Sequence, residues 1–159
     1  MLTRKVFVLG LVLFLSMVAG ARAQVTITAS GPVQGFALAT LAGVNCANPP
    51  GFCKTLESLP IDLKADSYLT ITFSARGVVA PSSTQTIIPQ LSCAIDGKPC
   101  DPNIAQEFLY PTFCCDSRSF TWIASAAKGT HTVEITWNSS GTGTVMLTGR
   151  TLNVLAIAK

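Results

Sequence analysis

Apolar and polar residues alternate with a period of two over most of the chain. Leu59, Ile61 and Leu63 fall together in Ser58 to Leu63. Leu69, Ile71, Phe73 and Ala75 oppose Thr70, Thr72 and Ser74 in Tyr68 to Ala75. Ile87 to Ile95 aligns Ile87, Leu91, Cys93 and Ile95. His131 to Trp137 sets Val133, Ile135 and Trp137 against Thr132, Glu134 and Thr136. Gln24 to Ser30, Thr144 to Thr148 and Thr151 to Ile157 repeat the pattern, with Val25 and Ile27 forming the apolar side of the first. Short runs of this kind, rich in Val, Ile, Thr and aromatic residues, predict half-buried strands.

The punctuation between runs agrees. Asp96-Gly97 is a hairpin signal, because both central residues of a type I′ turn need positive φ. Lys128-Gly129-Thr130 separates two strands, and Asn138 to Gly143 reads as a longer turn. Helix signals are poor; the best is Asp101 as N-cap with Pro102 at the first helical position, leading into Asn103 to Leu109 and ended by Pro111. The expectation is an all-β chain forming a single antiparallel β-sandwich, jelly-roll-like, with about eight strands. An outer-membrane barrel fits less well, because the strands are short, two carry proline and cysteines are present.

The N-terminal segment stands apart. Arg4 and Lys5 precede the apolar run Val6 to Ala19, and Ala21-Arg22-Ala23 reads as a small-x-small cleavage site that leaves Gln24 first. This is the order of a secretory signal peptide. The run of about 14 residues is short of the roughly 20 that cross a bilayer as a helix. Residues 1–23 are thus expected to be removed and 24–159 to form the domain, secreted and with no membrane span after processing.

Removal changes the charge. The whole chain has 11 basic and 8 acidic residues, a net +3. Three of the basic ones, Arg4, Lys5 and Arg22, belong to the leader, so the mature part has eight of each sign. Without a surplus of Lys and Arg to displace phosphate counterions, a nucleic-acid partner is not expected.

All six cysteines, Cys46, Cys53, Cys93, Cys100, Cys114 and Cys115, lie in the mature part. An even count in a secreted chain reads as disulfides. Neither the C-x₂₋₄-C spacing of zinc sites nor the C-x-x-C of redox sites occurs. Neighbouring Cα atoms are about 3.8 Å apart, below the usual disulfide range, so a Cys114–Cys115 bridge would be strained. A two-residue Asp96-Gly97 turn sets Cys93 opposite Cys100. This favours Cys93–Cys100, with Cys46 and Cys53 reaching the vicinal pair. The alternative keeps Cys46–Cys53 local and sends Cys93 and Cys100 to Cys114 and Cys115.

Candidate chemistry is sparse. His131 is the single histidine. No G-x-S-x-G elbow supplies a nucleophile beside it, so it reads as a strand-end residue hydrogen-bonded near a turn. No pair of acids is marked for glycoside hydrolysis, and Asp96, Asp101 and Asp116 form no spaced calcium loop. No catalytic residue, metal or cofactor is expected. For binding, Tyr110, Phe113, Phe120 and Trp122 cluster along the chain. Phe120 and Trp122, at period two, read as core. Tyr110 and Phe113 flank Pro111 and are the candidate ligand-binding pair, suited to stacking on a sugar. Asn138-Ser139-Ser140 fits the N-glycosylation sequon.

Tyr68-Leu69-Thr70-Ile71-Thr72-Phe73-Ser74-Ala75, Ile95-Asp96-Gly97, Lys128 to Trp137 and Arg150-Thr151-Leu152-Asn153-Val154 carry a resemblance. The stretch from Asp66 onward resembles a widespread set of uncharacterised bacterial secreted or surface β domains, with a "G-T-H-T-V…W" strand, a Gly-rich turn and "R-T-L-x-V". It is also similar in architecture to the jelly-roll heads of tumour necrosis factor and complement proteins, which often trimerise. The resemblance implies a jelly-roll sandwich and leaves function open. The expected activity is surface binding of a glycan or other cell-surface ligand. The alternatives are a structural subunit of a homo-oligomer or appendage and, third, a small hydrolase.

Overall fold

The computed structural model describes residues 22–28, 32–47, 55–79, 88–107, 116–140 and 144–159. They form strands β1 (Arg22–Thr28), β2 (Val33–Thr40), β3 (Val44–Ala47), β4 (Thr55–Leu63), β5 (Ser67–Val79) and β6 (Ile88–Ile95). These are followed by β7 (Lys98–Pro99), β8 (Gln106–Glu107), β9 (Asp116–Ala126), β10 (Gly129–Ser140) and β11 (Thr144–Ala158). One sheet has the order β1-β2-β11-β5-β9, with β3 also on β11. The other has the order β4-β10-β6-β7, with β8 also on β6. Every pairing is antiparallel.

The topology is that of a jelly roll. β7 and β8 share one position beside β6, and β1 and β3 are additions. Eight strands remain, in the orders first–eighth–third–sixth and second–seventh–fourth–fifth, which is the double Greek key of that fold. The expected strand count thus describes the framework.

The period-two pattern locates the core. Ile71, Phe73, Trp122 and Leu152 from the first sheet meet Leu59, Leu91 and Ile135 from the second, all essentially inaccessible to water. Burying a side chain of this size contributes about 1.5–3 kcal/mol. Trp122 is core, as its periodicity implied, and Phe120 packs beside it with ring centroids 6.2 Å apart.

Four expectations are corrected. The helix after Asp101 is absent: Asp101 exchanges both backbone hydrogen bonds with Ile123, at 2.8 and 2.7 Å, and Gln106–Glu107 pairs with β6. Backbone groups bonded across to another strand are not available for a helical turn. Of the Asn138 to Gly143 turn, Asn138 to Ser140 belong instead to β10, with Ser140 opposite Ile88, and 141–143 lie outside the described residues. The two C-terminal runs are one strand, β11, whose register to β5 shifts between Thr148 and Thr151. Gly149, at φ +53°, sits in that bulge, a backbone position suited to glycine.

The fourth correction concerns β1. Val25 is opposite Ala37 and 51% exposed, whereas Gln24 is opposite buried Leu38. Both sides of the strand are open to water at its described positions, since Gln24 is exposed as Val25 is. The reason lies beneath the strand. Glu57 is 1% exposed, and its carboxylate accepts from Arg150 Nε at 2.6 Å, Thr40 Oγ1 at 3.2 Å and Arg22 Nη2 at 3.3 Å. An inward apolar residue on β1 would meet that polar network rather than the core. Arg150 also donates to the carbonyls of Ala42 and Leu147, which ties the β11 bulge to the 41–43 segment.

Candidate functional site

The hairpin joining β6 to β7 is built as its sequence requires. Asp96 and Gly97 have φ of 49° and 77°, Ile95 faces Lys98 and Ala94 faces Pro99. Cys100 N donates to the Cys93 carbonyl at 3.0 Å, so the two cysteines are directly opposed, with their Sγ atoms 2.7 Å apart in the interior. The thiol–thiol contact and burial push the Cys93 thiol far above its ordinary range, and the same contact lowers Cys100. Cys46 lies in β3, opposite Val145. Cys53, Cys114 and Cys115 lie outside the described residues, as do Tyr110 and Phe113.

The tip of this hairpin is clamped to the start of β10. The Asp96 backbone N–H donates to the Thr132 carbonyl at 3.0 Å, and the Thr132 N–H donates back to Asp96 Oδ1 at 2.8 Å. His131 Nδ1 donates to Asp96 Oδ2 at 2.6 Å, and its Nε2 to the Ala127 carbonyl at 2.8 Å. Both acceptors can only accept, so the arrangement favours the protonated imidazole, in which both ring nitrogens donate. The Asp96 hydrogen bond is the main cause of the raised His131 pKa. The same bond, with the Thr132 N–H, draws the Asp96 carboxyl below its usual range. His131 is thus the strand-end, turn-bonded residue that its position suggested.

This clamp borders a groove of about 420 Å³. Sheet order explains its place: β9 is an edge of one sheet and β7 an edge of the other, and the Asp101–Ile123 bridge links the two flanks. Its lining combines Asp96, Lys98, Asp101, Ser125 and His131 with the apolar Pro99, Ile123 and Ala124. Asp96 and His131 are committed to one another. The Asp101 carboxylate and Lys98 ammonium make no hydrogen bond among the described residues, and both face solvent.

The sequence had marked Asp96 as a turn residue and Asp101 as a cap, and had not marked Lys98, Ile123 or Ser125. The Asp96-Gly97 register could have placed Lys98 on the hairpin. Nothing local reports that β9 lies alongside it. Among the described residues, no group of three His, Cys, Asp or Glu side chains could hold a metal ion, and no helix is long and apolar enough to cross a membrane.

No protein-family model matches the chain, and no curated protein sequence matches it. Among solved structures, the C-terminal domain of EclA, described as a sugar-binding protein, is similar at 11% identity. The match covers 70% of this chain and 77% of that one with a TM-score of 0.48. A family 35 carbohydrate-binding module from Paenibacillus barcinonensis is 14% identical over 88% of this chain and 100% of that chain, with a TM-score of 0.34. A family 35 module from Clostridium thermocellum is 10% identical over 83% and 97%, with a TM-score of 0.35. These are likenesses of sandwich architecture at low identity, and the ligands in those names belong to those proteins.

Proposed function

We propose that this protein is a secreted, non-enzymatic binding domain that takes a carbohydrate in the groove beside the Asp96-Gly97 turn. The observation that carries the reading is the composition of the groove: the Asp101 carboxylate and Lys98 ammonium, without hydrogen-bond partners among the described residues, beside Ser125 and the apolar Pro99 and Ile123. Sugar hydroxyls both donate and accept, so such a lining matches them, while the C–H face of a pyranose fits Pro99 and Ile123. Its volume is at the small end of ligand sites and suits one or two sugar rings. The mature chain begins at Gln24 in this reading. Loss of Arg22 leaves Glu57 its 2.6 Å partner Arg150.

The same groove argues against glycoside hydrolysis. That chemistry needs one carboxyl kept protonated near neutral pH. Asp96, one of its two carboxyls, is driven the opposite way by His131.

Glycan-array screening followed by calorimetry on the best saccharide tests the proposal. Removing a charged hydrogen-bonding group costs about 1.5–3 kcal/mol, so Asp101→Asn and Lys98→Ala should each weaken binding by roughly 10-fold or more. Absence of saccharide binding overturns the proposal. So does binding that survives both changes but is lost in Tyr110→Ala or Phe113→Ala, which would move the ligand to the 110–113 segment.

A further inference from the structure

The wall of the groove that carries Lys98 and Asp101 has a single anchor in the core. Along Asp96 to Glu107, Cys100 alone is buried, at 2% exposure. The backbone ties of this wall are few. The Asp96 clamp holds the tip of the hairpin, but β7 is only two residues long, and Pro99 has no N–H to give to the ladder. After Pro99 come the Cys100 N–H on the Cys93 carbonyl and the two hydrogen bonds between Asp101 and Ile123. From Asp101 to Ala105 the chain is exposed throughout. Buried contact and paired backbone make a segment resist local opening, and this wall has little of either apart from Cys100.

Cys93 is held differently. It lies in β6, paired along its full length with β10, and faces Ile135 there, a residue with no exposed surface. Its Sγ is 2.7 Å from that of Cys100. A link between the two sulfurs therefore ties the exposed wall to the middle of the second sheet. Neither cysteine lines the groove. A separate pocket of about 180 Å³ opens on both of them, lined also by Ser92, Thr136, Pro102 and Ile104. It gives a small dithiol a path to the sulfurs, and access is one of the conditions for thiol–disulfide exchange.

We infer that the Cys93–Cys100 pair is a redox-controlled tether for the groove: joined, it holds Lys98 and Asp101 in place, and opened, it lets their wall move. Closure forms one S–S bond between the two Sγ atoms and breaks the two S–H bonds. The two electrons and two protons pass to a small disulfide oxidant, which leaves as two thiols; a dithiol reverses the step and itself becomes the disulfide. The cysteines are positioning residues, since a ligand in the groove meets Lys98 and Asp101 and not the sulfurs. The effect on binding rests on the saccharide reading of the groove, whereas the tethering of its wall does not.

Native-state mobility tests the tether without any ligand. A bridge that acts only on the unfolded chain shifts the thermal midpoint and leaves the folded state as it was, whereas a tether alters the folded state itself. In Cys93→Ala with Cys100→Ala, held well below its midpoint, backbone amide order parameters at Lys98 and Asp101 should fall from about 0.85, the rigid value, to below about 0.6. Those of Ile71 and Val133, in the core, should not change. Wild type opened with a dithiol, its free thiols located by alkylation mapping, should show the same loss at the same residues, and reoxidation should restore it. Affinity for the saccharide found on the array should drop about 10-fold on opening, because the wall must then be ordered at the binding step. Unchanged order parameters in both opened forms overturn the inference, and so does a mobile wall with undiminished affinity. If no saccharide binds, the carbohydrate reading fails by itself and the order parameters still decide the tether.

Discussion

The opposed cysteines of the β6–β7 hairpin give a sharp quantitative test. Cys93 and Cys100 are thiols with their Sγ atoms 2.7 Å apart, at 4% and 2% exposure. Two sulfurs so placed across a ladder should close to a disulfide once the chain meets the oxidising compartment that the proposed secretion implies. The closed loop has eight residues, Cys93 to Cys100. The chain-entropy relation then gives about 2.5 kcal/mol of stabilisation at 25 °C. For a mature domain of about 136 residues, with about 2.1 cal/mol/K of unfolding entropy per residue, this corresponds to a drop of about 9 °C in Tm on losing the bridge. The perturbation is Cys93→Ala with Cys100→Ala, which leaves any other bridges in place, unlike a reductant. Scanning calorimetry without reductant should show that drop or somewhat more, since two small buried side chains are also truncated. Non-reducing peptide mapping should recover Cys93 and Cys100 in one linked fragment. Alkylation of both in unfolded, unreduced protein would refute the reasoning, and so would an unchanged Tm.

Two further outcomes follow from other parts of the molecule. His131 is raised by Asp96, so its stabilising contribution is complete below its ordinary value near 6.5 and is lost as pH rises through the raised one. Asp96 is lowered, so its contribution is complete above about 3.8 and is lost as pH falls through the lowered one. The clamp is therefore firmest between about pH 4 and 6.5. The His131 ring should titrate by NMR above 6.5 in the wild type and return toward that value in Asp96→Asn; a wild-type midpoint at or below it contradicts the clamp. Arg150→Met should destabilise by about 3–5 kcal/mol by stranding a buried carboxylate. Arg150→Met with Glu57→Leu should recover most of that loss in chemical denaturation, which a purely steric role for Arg150 would not allow.

How much of this was legible in the sequence depended on the range of the information. Leu69 to Ala75 and Val133 to Trp137 report their buried face directly, because a central strand packed on one side must alternate. The Asp96-Gly97 turn reports its own register, and with it the approach of Cys93 and Cys100. β1 misled because Gln24 and Val25 are both exposed on it: periodicity shows that a strand has two unlike faces, not that either is buried. The helix expected after Asp101 failed for a related reason. Its cap and proline are local signals, whereas the Ile123 backbone that captures Asp101 is 22 residues away. The groove was illegible because it is formed by two sheet edges, and edges are set by strand order rather than by any motif. The buried Glu57–Arg150 pair, 93 residues apart, was invisible for the same reason.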